Sequence, residues 1–257
     1  MFSRCSVKIG FITLVLLGSA ATVAYAAHSW GPYHWGRTEN PFTLKLGSNV
    51  TSAWSSYLNT ASVDWSASNV LDTTVVPGSS PRCTYGILGR VELCNRKYGF
   101  NGWLGLAQIF VSADGHITAC IANLNDSYFN TATYNTPAWR RLVMCQEIAH
   151  TFGLDHQDEA NNNPNLGSCM DYTNDPDGGV GGAVSNDPSN EHPNAHDFEQ
   201  LETIYIVHDG ISPVDAATTL RQTASSRGTF GDARFADARF GDVGDVAEWG
   251  TFIRKDA

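Results

Sequence analysis

The sequence is poor in charge, and above all in positive charge. Charged residues make up 16% of the chain, with 16 Lys and Arg against 26 Asp and Glu, for a formal net charge of -10. That balance excludes the basic stripe a nucleic-acid surface requires, so nucleic acid is not an expected partner. An apolar run of bilayer-spanning length is also missing. The run from Ile9 to Ala21 falls short of the roughly 20 residues a spanning helix needs, and no membrane partner is expected. A spaced calcium signature is absent from both acidic stretches, Asp158 to Asn165 and Asp175 to Gly179. Calcium therefore stays an open but unsupported option, and solvated loops are the default reading. Long repeats are missing too: Phe230 to Arg234 is nearly repeated as Phe235 to Arg239, but so few five-residue units make no solenoid.

What is present begins with an export signal. Arg4 and Lys8 precede the Ile9 to Ala21 run, and Ala24-Tyr25-Ala26 supplies the small-x-small pattern of a cleavage site. Residues 1–26 are read as a signal peptide, which makes the protein secreted and extracellular. Loss of Arg4 and Lys8 moves the formal charge from -10 to -12. About 230 residues remain, enough to fill one domain over 27–210 and leave 211–257 as a tail with no function readable from it. A monomer is expected.

The cysteines agree with an oxidising compartment. Cys83, Cys94, Cys120, Cys145 and Cys169 lie beyond the signal, so one thiol is left over if the rest pair. Cys83 and Cys94 flank a short segment with Gly86 and Gly89 and read as a hairpin or loop closed by a bridge. Sequons stand at Asn49-Val50-Thr51 and Asn125-Asp126-Ser127.

Periodicity gives a coarse order of elements. Phe42 to Leu46 alternates as a strand does, and Trp54, Leu58, Ala61 and Trp65 recur at helical spacing. Val70 to Val76 reads as a second strand ending at Pro77-Gly78. Leu104 to Val111 and His116 to Asn123 flank Asp114-Gly115, a hairpin turn. Asn135 or Thr136 can cap a helix with Pro137 in its first turn, which runs through Trp139, Leu142, Ile148 and Phe152 to Gly153.

That helix carries the chemistry, in the stretch CQEIAHTFGLDHQDE. Positions 146 and 150 are four apart and share one face, so Gln146 and His150 can approach one ion. Gly153 then turns the chain and returns His156 as a third ligand from outside the helix. Three protein ligands leave a coordination position open, as a catalytic zinc requires. Glu147 is placed to take a proton from an attacking water. Each residue alone has an ordinary structural reading, but Glu, His, Gly and His at these offsets should arise by chance in about one chain in a few thousand. His192 and His196 read as surface residues at a helix start, and His28 and His34 have no partner pattern.

With Gln146 standing where the first His belongs, the stretch resembles the H-E-x-x-H-x-x-G-x-x-H helix of the metzincins, secreted or cell-surface zinc peptidases. Ser168-Cys169-Met170-Asp171-Tyr172 resembles their Met-turn, whose methionine lies beneath the metal, and Tyr172 matches the tyrosine that stabilises the oxyanion in astacin-like and serralysin-like members. Gly105-Leu106-Ala107-Gln108 is similar to the matrixin edge strand, and Asn194 to Val207 to the closing helix. The resemblance covers roughly residues 30 to 208. It implies an α+β, zincin-like fold with a mixed twisted sheet, the active-site helix, the Met-turn and a C-terminal helix. It implies Zn2+ held by Gln146, His150 and His156, with Glu147 and Tyr172 catalytic and a protein or peptide substrate aligned on the edge strand. It also implies closeness of Cys145 to Cys169, hence a second bridge that leaves Cys120 free; a Cys120–Cys145 pair is the rival.

Gln146 leaves two functions standing. A glutamine oxygen can bind zinc, though more weakly than imidazole, and Glu147 would then still work as base in an endopeptidase. Alternatively the centre is impaired and the domain is a pseudo-peptidase that only binds.

Overall fold

The alternation in residues 42–49 makes a strand because it buries one face: Phe42, Leu44 and Leu46 are inside, Thr43 and Lys45 outside. The computed structural model describes residues 28–112, 115–180 and 185–206, and the backbone of 236–237. After a two-residue strand β1 (His34–Trp35) comes β2 (Phe42–Asn49), then helix α1 (Ser52–Trp65), whose stripe of Trp54, Leu58, Ala61 and Trp65 is buried. Strand β3 (Leu71–Pro77) returns parallel to β2.

Strands β4 (Arg90–Arg96), β5 (Gly105–Val111) and β6 (His116–Asn125) complete the centre of the sheet. The order is β3-β2-β4-β6-β5-β7, with β7 (Ala236–Asp237) beside Phe110 and Val111 of β5, and β1 pairing the start of β6. Only β5 and β7 run antiparallel to their partners, so the sheet is mixed. Every residue of β6 from Ile117 to Asn125 is buried, as expected of a strand covered on both faces. Strands β5 and β6 pair antiparallel, as expected of runs flanking Asp114-Gly115; Gly115 stands at φ +90°, while Asp114 lies outside the described residues.

Of the two readings of the segment between Cys83 and Cys94, a loop is found over residues 83–89 and no hairpin. The bridge forms, with an S–S distance of 2.04 Å, but Cys94 lies within β4, a central strand, rather than in a hairpin. The polar letters of Arg90-Val91-Glu92-Leu93 hid that strand. Glu92 is fully buried, accepts from Asn49 Nδ2 at 2.6 Å and from the backbone N–H groups of Ser79 and Ser80, and pairs with Arg90. A buried carboxylate is tolerated where donors surround it, which periodicity cannot register.

The chain then passes through the short helix α2 (Asp126–Phe129) into α3 (Pro137–His150). Thr136 caps α3 by accepting from Trp139 N–H, with Pro137 at its start. All of α3 from Ala138 to His150 except Arg141 is buried, because it packs against α1, β5 and β6 at once. Trp65 of α1 donates its indole N–H to the Cys145 carbonyl at 3.2 Å. Helix α4 (Ala195–Ile204) follows a capping box in which Asn194 and Asp197 bond each other's backbone.

No helix among the described residues is long and apolar enough to cross a membrane. Residues 1–27, and all but two residues of 207–257, lie outside the described part; they include the expected signal peptide and nearly all of the tail. The Asn125 sequon is buried, its amide donating to Gly99, Asn101 and Trp103, so the folded chain does not offer it for glycosylation.

Candidate metal centre and active site

The site forms where α3 ends. The last helical residue is His150, and the turn Thr151–Gly153 reverses the chain with Gly153 at φ +96°. A Cβ there would lie 2.3 Å from the Tyr33 carbonyl oxygen, so glycine is required on both counts. The reversal carries His156 back until its Nε2 stands 3.1 Å from Nε2 of His150, the rings edge to face at 88°.

Both histidines are turned by their other nitrogen. His150 Nδ1 lies 2.8 Å from the Leu154 carbonyl, which can only accept, so Nδ1 carries the proton and Nε2 presents a lone pair. His156 Nδ1 faces the Glu159 carboxylate at 3.4 Å, so in the neutral ring Nδ1 carries the proton and Nε2 presents the lone pair. Two bare nitrogens 3.1 Å apart repel unless a cation or proton lies between them. Nitrogens bound about 2.1 Å from one tetrahedral zinc would be about 3.4 Å apart, close to what is found. Burial, then the neighbouring His156, holds His150 well below the usual imidazole range, keeping it neutral and able to ligate.

Gln146 and Glu147 lie on the same helix, 1% and 0% exposed. Glu147 presses against β5, where a Cβ on Gly105 would meet its carboxyl at 2.4 Å. Neither of its oxygens makes a hydrogen bond of ordinary geometry among the described residues. Burial pushes its pKa well above the usual carboxylate value, and the nearby Ala107 backbone N–H only partly opposes this. Among the described residues no three His, Cys, Asp or Glu side chains gather to hold a metal, so an ion here would need oxygen from Gln146 or water beside the two histidines.

The segment around Met170 packs against α3 and the His156 loop. Cys169 is bridged to Cys145 with Cα atoms 6.0 Å apart, while Cys120 is free and buried, its Sγ 3.6 Å from the Thr151 carbonyl. Met170 is buried and its carbonyl accepts from Gln157 N–H at 2.6 Å; Tyr172 N–H donates to the Asp158 carbonyl at 2.9 Å. These bonds tie the 168–172 turn to the loop carrying His156. The Tyr172 ring packs 4.4 Å from the His156 ring. Ser168 Oγ donates to Asp197 of α4 at 2.7 Å, joining the 168–172 turn to that helix.

The remaining candidates fall elsewhere. His192 pairs with Asp64 at 2.7 Å, and His196 packs 4.9 Å from His28. In the acidic stretches, the Asp158 carboxylate accepts from Ala160 N–H, and the Asp175 carbonyl accepts from Asn165 Nδ2 and Gly178 N–H. Two residues without an assigned role are drawn in. His28 bonds the Asp155 carbonyl at 2.9 Å, and the Trp30 indole stacks on the His150 ring, 4.9 Å away and 2° from parallel. Their distance in sequence left no spacing by which to find them.

No family profile matches this sequence. No curated protein sequence matches it either. Among solved structures the chain is similar to myroilysin at 12% identity with a TM-score of 0.38, over 70% of this chain and 98% of that one. So slight a likeness assigns neither family nor activity.

Proposed function

We propose that this protein is a secreted zinc-dependent endopeptidase, with Gln146, His150 and His156 as the metal ligands. The observation that carries this reading is the 3.1 Å approach of two histidine nitrogens whose partners leave both as lone-pair donors. Zinc, when bound, supplies a Lewis acid that polarises the scissile carbonyl and makes water acidic near neutral pH. Glu147 is the general base: it accepts the proton of the attacking water and passes it to the leaving amine. Its buried carboxyl needs a neighbouring positive charge to ionise, so base and metal site depend on each other. Tyr172, packed on His156, donates its hydroxyl to the developing oxyanion. An extended protein or peptide substrate aligns on β5 by backbone pairing, in the Gly105 to Ile109 stretch beside Glu147.

The second reading rests on Gln146. A neutral amide is a poorer zinc ligand than imidazole, and a centre with two histidines could serve binding alone. Glu147→Gln decides between them. In an endopeptidase it abolishes cleavage of an unfolded protein while zinc content, measured by elemental analysis, stays near one per chain. A wild-type protein that takes up zinc but cleaves nothing would establish the pseudo-peptidase; equal cleavage by wild type and variant would remove Glu147 from the mechanism.

A further inference from the structure

The beginning of the described chain runs beside the end of the site. Ser29 and Leu154 pair as an antiparallel bridge, Trp30 N–H donates to the Gly153 carbonyl at 2.8 Å, and Asp155 N–H donates to the His28 carbonyl at 2.9 Å. The His28 ring adds a bond from Nδ1 to the Asp155 carbonyl at 2.9 Å. Residues 28–30 thus grip residues 153–155 of the turn between the two histidines.

Of these three residues, Trp30 reaches His150 directly. The His150 ring is held at one atom by the Leu154 carbonyl, and Leu154 is the residue bridged to Ser29. In-plane contacts of this kind, at Nδ1 with Leu154 and at Nε2 with His156, leave the plane of an imidazole some freedom to tilt. The Trp30 indole, 4% exposed and 2° from coplanar, removes that freedom, because rotation would drive the imidazole edge into the indole face. The electron-rich indole face also favours an imidazole carrying partial positive charge, which a bound cation induces.

We propose that Trp30 is a positioning residue of the metal centre. It fixes the His150 ring plane, while the backbone of 28–30 fixes the turn that delivers His156. The inference rests on the metal reading above and concerns the affinity and geometry of that site rather than its chemistry.

The test uses the full mature chain with Trp30→Leu, which keeps apolar volume without a ring, and Trp30→Phe, which restores one. Zinc affinity is measured by competition with a chromophoric chelator. Trp30→Leu should bind about 10- to 100-fold more weakly, and Trp30→Phe should recover most of the loss. Metal-free protein gives an independent readout by histidine NMR: the His150 ring protons should be displaced upfield by the indole in wild type and return toward ordinary positions in Trp30→Leu. Should that variant fail to fold, Trp30→Met refills the same volume and carries the same comparison. Unchanged zinc affinity in Trp30→Leu, or a lower Tm with affinity and His150 resonances both unmoved, would overturn the proposal. A wild type that takes up no zinc would instead refute the metal reading, while the NMR comparison still tells whether Trp30 holds the His150 ring.

Discussion

Gln146 is the residue on which the chemistry turns. On α3 it occupies the position one helical turn before His150, where imidazole would give the tighter ligand. Gln146→His should lower the zinc dissociation constant by at least tenfold, measured by chelator competition; an unchanged constant would mean that position 146 does not face the ion. His28 makes a separate prediction in pH. Burial is the largest cause lowering its pKa from 6.5 to about 4, so folding disfavours its protonated form. Its contribution to stability is complete above pH 6.5 and is lost as pH falls toward 4, up to about 3 kcal/mol. Neutral Gln at position 28 keeps a donor for the Asp155 carbonyl without the titration. Urea denaturation of metal-free protein at pH 7 and pH 4 should therefore show a smaller acid loss in His28→Gln than in wild type.

At the scale of the element, the end of α3 is fixed by a glycine and a disulfide. Gly153→Ala places a Cβ against the Tyr33 carbonyl in a backbone conformation that alanine resists. A loss of about 2–3 kcal/mol is expected in urea denaturation, together with weaker zinc binding because His156 shifts. A loss of stability with zinc affinity intact would show that the turn and the centre are separable. The Cys145–Cys169 bridge closes a separation of 24 residues between α3 and the 168–172 turn. Replacing both cysteines with serine should remove about 3 kcal/mol, seen as a Tm lower by roughly 6–12 °C. At the same scale, α1 was legible from its apolar spacing and α3 from its spacing and its Thr136 cap, both local, whereas α4 was expected only through the resemblance, over 194–207 against the Ala195–Ile204 found. Strand β4 was not, because Glu92 is made acceptable inside by Asn49, Ser79 and Ser80, residues outside the strand.

For the whole molecule, a metal joining α3 to the returning loop should stabilise the native state by mass action. Zinc at one hundred times its dissociation constant should raise the Tm by about 5–10 °C, and a chelator should reverse this; a Tm indifferent to both would count against a centre built by the fold. The sequence by itself determined the helix that bears Gln146, Glu147 and His150 and the turn at Gly153, whereas the choice between Cys145–Cys169 and Cys120–Cys145 was decided by the structure in favour of the first. Each follows from spacing along the chain or from a motif that lies within it. Tertiary structure decided the rest. It set the 3.1 Å meeting of His150 with His156, pressed Glu147 against Gly105, and brought Trp30 over a ring 120 positions away. Those contacts join elements whose sequence separation is arbitrary. They are selected by packing around one core and one sheet, which no local pattern encodes.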